Sequence, residues 1–167
     1  MFFIRQLQRE ISIHPSFFGR DMEDRLKDEL YSSMEGTCNG EYYIICVMDI
    51  TNLSEGKVKL GRGEANFVID YRAIVWKPFK GETVDCAVVN VKSQGLVCEV
   101  GPMNIFVSER QMAPDMKYNG TATPPNYSNN SGDTIEKGSA VRVQLMGLRS
   151  DVGSMFAIGK MKDNWFG

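Results

Sequence analysis

Apolar and polar positions alternate in several rhythms along the first 80 residues, and each rhythm predicts an element. Phe3, Ile4 and Leu7, followed by Ile11-Ser12-Ile13, predict an opening strand that His14-Pro15 stops. Over 21–34, Met22, Leu26 and Leu30 recur every four residues, with Glu23, Asp24, Lys27 and Asp28 on the other side. That is the stripe of an amphipathic helix, with acids in its first turn and Gly36 as its stop. Residues 42–48 form a nearly continuous apolar run of central-strand character. Strands over 57–60 and 66–69 flank a Gly61-Arg62-Gly63 turn, and 73–76 closes the set. One helix on an antiparallel sheet of about four strands is an α+β module.

The pattern changes at 71–85. An apolar run ending at Trp76 meets Lys77-Pro78-Phe79-Lys80-Gly81, and a new strand follows at Thr83. Pro78 cannot donate to a ladder and keeps Lys77 out of the helical region, so the segment reads as a stiff joint between two halves. Residues 1–80 then form one domain and 81–167 another. In the second, strands are predicted over 83–91, 96–100, 104–108, 140–146 and 155–160, separated mostly by glycine turns. Five short strands in this spacing fit an all-β Greek-key barrel of the OB type. The polar stretch 112–138, rich in Pro, Asn, Ser, Gly and Thr, reads as a solvated, mobile insertion between the third and fourth barrel strands.

Charge narrows the functions available. The net charge is −2, with eleven basic against twelve acidic residues in 1–80 and eight against nine in 81–167. A protein that holds nucleic acid by bulk electrostatics carries a basic half or stripe, so any contact here is local and weak. The only histidine, His14, precedes a proline and has no nucleophile or metal-spaced companion. The sequence therefore points to no catalytic site, cofactor or metal. Gly61-Arg62-Gly63 lacks the glycines and the following helix of a phosphate cradle and reads as a hairpin tip or docking finger. Cys46, Cys86 and Cys98 fall in apolar strand patterns and read as buried, reduced thiols. With no signal peptide or long apolar run, a reducing compartment and no membrane partner are expected.

Several blocks carry a resemblance. They include Met1-Phe2-Phe3, 13–19 (IHPSFFG), 34–38 (MEGTC), 71–82 (YRAIVWKPFKGE), Gly101-Pro102-Met103, 105–108 (IFVS), 123–127 (TPPNY) and 156–159 (FAIG). The chain from Gly81 resembles an S1-type RNA-binding barrel. The whole chain resembles the larger stalk subunit of nuclear and archaeal RNA polymerases, with the polymerase II form, its seventh subunit, the better match.

The resemblance implies that 1–80 is a truncated ribonucleoprotein-like tip domain. Its loops near Gly36 and at Gly61, Arg62 and Gly63 would dock on the polymerase core, which includes the largest subunit and the clamp. Trp76, Lys77, Pro78 and Phe79 would form the joint, packed by the polymerase's fourth subunit in a heterodimer. The barrel would face nascent single-stranded RNA through Lys92, Phe106, Arg142, Lys160 and Lys162. The implied role is non-catalytic, in transcription initiation in the nucleus. S1 barrels usually present two rings on the second strand, where this chain has Gln94 and Val97, so Phe106 is left as the stacking ring. The competing reading is a free-standing S1-type single-stranded RNA-binding protein.

Overall fold

The computed structural model describes residues 1–130 and 132–161. The chain divides into two compact units, Met1–Lys77 and Pro78–Gly167, with the division three residues before the expected boundary.

The first unit contains β1 (Phe2–Ile13), α1 (Met22–Met34), β2 (Tyr43–Leu53), β3 (Lys57–Val58) and β4 (Ala65–Trp76). The sheet order is β1-β4-β2, with β3 also on β4, all antiparallel. Helix α1 lays Leu26 and Leu30 on one face of the sheet, against Ile11, Ile13, Ile44, Val47, Phe67, Ile69, Tyr71 and Val75. Each fully buried leucine contributes about 1.5–3 kcal/mol of transfer free energy. Gly36 ends the helix at φ +75, and its N–H donates to the Ile44 carbonyl at 2.8 Å, tying the helix exit to β2. His14 accepts from the Ser16 N–H at 3.3 Å and caps the short turn Pro15–Phe17, a structural role.

Three expectations change here. The run over 42–48, expected to be a central strand, lies in β2 at the edge of the sheet, and β4 is the central strand. The strands read over 66–69 and 73–76 are one continuous strand, β4, paired with β1 from end to end. The polar residues that broke the pattern, Asp70 and Arg72, lie on the helix-free face. There Asp70 accepts from Gln8 and Asn52, while Arg72 forks onto Asp49 at 2.6 and 2.8 Å. Cys46, expected to be buried, is half-exposed on that same helix-free face. Cys86 and Cys98 are buried.

The second unit contains β5 (Thr83–Lys92), β6 (Gly95–Val100), β7 (Met103–Ser108), β8 (Lys117–Asn119), β9 (Asn126–Ser128), β10 (Thr134–Ile135), β11 (Ala140–Asp151) and β12 (Ser154–Lys160). Five strands close a barrel in the order β11-β12-β7-β6-β5. The β12–β7 pair is parallel and the others are antiparallel. Its interior is filled by Val88, Leu96, Cys98, Met103, Ile105, Val107, Val143, Leu145 and Ala157. Gly95 is required at the β5–β6 turn: φ is +146, and a Cβ there would run into the backbone carbonyl of Val107.

The insertion is more ordered than its composition suggests. It carries a small sheet, β10-β9-β8, with Tyr127 fully buried in the central strand. The Tyr127 hydroxyl donates to the Lys92 carbonyl at 2.9 Å, with the Ser93 carbonyl at 3.2 Å, and its ring lies 5.4 Å from that of Tyr118. Burial pushes its phenol above the ordinary range.

Candidate nucleic-acid face and docking tip

On β7, Met103, Ile105 and Val107 point into the barrel, so Asn104, Phe106 and Ser108 point out. Phe106 is therefore a surface ring, half-buried, with Val97 opposite it on β6 and Ile158 opposite it on β12. Gln94, by contrast, lies in the turn before β6, and neither it nor Val97 offers a ring.

The cations expected around Phe106 fall into different situations. Lys92 is exposed at the end of β5, opposite Gly95, which itself pairs with Ser108 of β7. Lys160 is half-buried and lies on the same outward face of β12 as Ile158. Arg142 is already engaged: its guanidinium forks onto Asp85 at 2.6 and 3.1 Å, across the β5–β11 pair. The paired hydrogen bonds lower the Asp85 carboxyl below its usual range and raise Arg142. An arginine so occupied is a weaker phosphate ligand than an unengaged one. Lys162 lies outside the described residues.

In the first unit, the expected docking residues do not share one surface. Gly61 and Gly63, at φ +92 and +71, form the turn between β3 and β4, with Arg62 exposed between them. Gly36 lies beside Ile44, which pairs with Val75 at the far end of β4. From Ala65 to Val75 a strand rises about 33 Å, so the two sites are at opposite ends of the sheet.

What does share the hairpin end is apolar. A Cβ on Gly63 would lie 3.3 Å from Pro15 Cγ, which places the tip against the turn after β1. Phe17 and Phe18 are exposed there, and Arg25 lies over the Phe17 ring at 5.7 Å. Val58 is largely exposed and Leu60 fully so. The strand expected over 57–60 stops at Val58, and Leu60 projects from the turn.

Around the joint, Trp76 is buried and stacks on Tyr43 at 5.9 Å, so its ring is not a free contact. Lys77 pairs with Glu41 at 3.6 Å and exchanges backbone hydrogen bonds with Met1. Pro78 is buried, and Phe79 keeps an exposed ring. Among the described residues no cluster of His, Cys, Asp and Glu is arranged to hold a metal.

Both modules match known domain families. Residues 8–63 match the SHS2 domain found in the N terminus of Rpb7p/Rpc25p, and residues 77–158 match the S1 RNA binding domain. The chain is 47% identical to the DNA-directed RNA polymerase II subunit rpb7 of Schizosaccharomyces pombe, covering 99% of this chain and 98% of that one. It is 42% identical to subunit RPB7 of Saccharomyces cerevisiae, covering 100% and 99%. It is 37% identical to that of Glycine max, covering 100% and 96%. The chain belongs to the Rpb7 family of RNA polymerase II subunits. As an Rpb7-family member it pairs an N-terminal SHS2 domain, one helix on a sheet, with a closed S1 barrel.

Proposed function

We propose that this chain is a non-catalytic subunit of RNA polymerase II that works in the nucleus, forming the stalk with the fourth subunit. The observation that carries the reading is the end-to-end similarity to RPB7 subunits, with both modules present in one chain. The stalk docks on the polymerase core near the clamp and supports initiation. The hairpin end of the first unit is the docking tip: Leu60, Phe17 and Phe18 supply apolar surface, and Arg62 supplies a charge between two glycines. Gly36 lies at the other end of the sheet, about 33 Å of strand away, and would meet the core separately from the tip. The fourth subunit packs at the joint, where Phe79 is the exposed ring. The barrel contacts nascent RNA through Phe106, with Lys92 and Lys160 nearby and Arg142 in a lesser role.

The test is to express the chain alone and with the fourth subunit, and to size both by light scattering. A 1:1 heterodimer is expected. Leu60→Asp should keep that heterodimer and lose capture of the polymerase core. A stable monomer that ignores the fourth subunit yet binds single-stranded RNA would overturn the stalk reading in favour of a free-standing RNA-binding protein.

A further inference from the structure

The outward face of the barrel carries a second ring. On β12, Met155, Ala157 and Gly159 point inward, and Phe156, Ile158 and Lys160 point outward. Phe156 is 41% exposed, so the barrel's core does not require it.

The registers lay out this face row by row. Glu99, Asn104, Phe156 and Arg149 form one row across β6, β7, β12 and β11; Val97, Phe106, Ile158 and Gly147 form the next. Lys160 continues the outward face of β12 beyond Ile158. Phe106 and Phe156 are thus diagonal neighbours on adjacent parallel strands, about 8 Å apart from the strand separation and a two-residue rise. That leaves room for one base on each ring with the strand extended. Val97 and Ile158 fill the same row as Phe106 with aliphatic surface.

We propose that Phe156 is the second base-stacking ring of the barrel's RNA face, and that Arg149, opposite it on β11, takes the adjoining phosphate. This rests on the reading of the barrel as an RNA-contacting module, and it moves the ring missing from β6 to the other side of β7. Charge sets the direction of the strand. Glu99 repels phosphate at the β6 end of the row, while the exposed Arg149 attracts it at the β11 end. The backbone therefore runs along the β12–β11 side, with bases turned toward β7.

The test uses the full chain and a fluorescein-labelled single-stranded 12-mer of uridine, followed by anisotropy at low salt. Phe106→Ala and Phe156→Ala should each weaken binding by about five- to a hundredfold. Phe156→Leu, which keeps apolar bulk but cannot stack, should behave like Phe156→Ala, whereas Phe156→Trp should bind at least as tightly as the wild type. Arg149→Gln should weaken binding and flatten the salt dependence by about 0.7 in slope. Thermal melts confirm that each variant is folded. If Phe106→Ala weakens binding while Phe156→Ala and Phe156→Leu do not, the RNA reading stands and this proposal falls. Loss of fourth-subunit binding in Phe156→Ala with unchanged RNA affinity also overturns it and makes the ring a protein contact. A wild type that does not bind the 12-mer sinks both.

Discussion

Arg142 was visible in the sequence as a cation of the barrel, but its partner was not. Asp85 lies 57 positions away, and only the β5–β11 register that closes the barrel sets the two side chains opposite each other. The same holds for Arg72 and Asp49, 23 residues apart. In both pairs the hydrogen bonds to the guanidinium are the main cause of the lowered carboxyl. A carboxyl depressed in the folded state contributes stability above its unfolded value near 3.8, and that contribution disappears as pH falls through the folded value. Carbon-detected NMR titration should place the midpoints of Asp49 and Asp85 below 3.8. Arg142→Gln should return Asp85 to its ordinary value, leave Asp49 alone, and scarcely alter stability at pH 7, since the pair is exposed. An unshifted Asp85 in the wild type would mean that solvent breaks the fork. Phe106 was legible as a ring on the third barrel strand, but its outward direction required the alternation of β7. Phe156 is legible in the 156–159 block, but not as a surface ring, because a single phenylalanine in an apolar strand looks like a core residue until its neighbours are placed.

Strand β2 explains why an apolar run could be recognised as a strand without its faces being assigned. Its ladder to β4 shifts three times, between Ile44 and Cys46, Val47 and Asp49, and Ile50 and Asn52. Each shift leaves one residue unpaired, namely Ile45, Met48 and Thr51, and the core-facing set becomes Ile44, Val47, Ile50 and Leu53. That spacing of three is neither the two of a regular strand nor the 3.6 of a helix, so periodicity alone could not orient it. Urea denaturation can test it. Val47→Ala should cost about 1.5–3 kcal/mol, and Met48→Ala less than about 1 kcal/mol. Strict alternation from Ile44 would bury Met48 and reverse that order. Helix α1 and four barrel strands match their expected spans closely, whereas β11 runs to Asp151, past the expected end at 146, through a ladder shift between Leu145 and Gly147. Strand β4 was cut in two because its polar residues served the helix-free face, which the sequence does not distinguish from solvent.

For the whole molecule, the change in pattern around Pro78 revealed two modules, while the arrangement of sites within each module needed the structure. Gly36 and the Gly61–Gly63 turn looked equivalent as glycine loops, and the length of β4 separates them. The even charge balance carries a measurable consequence. With Lys92, Arg149 and Lys160 as the cations of the RNA face, two or three phosphates are neutralised. The slope of log K against log salt should then be about −2 for a single strand. A slope steeper than about −4 would mean that a basic surface elsewhere does the binding, contrary to a chain whose halves are each nearly neutral.

The anchoring of Tyr127 bears on how this chain tolerates change in length. Its hydroxyl holds the middle of the polar excursion to the Lys92–Ser93 backbone, so one long loop behaves as two short ones hung from a fixed point. Residues can be added in the turn between β8 and β9 while the small sheet, its anchor and the barrel's closure persist. Length is therefore nearly free in that turn, and the identity of one side chain is not.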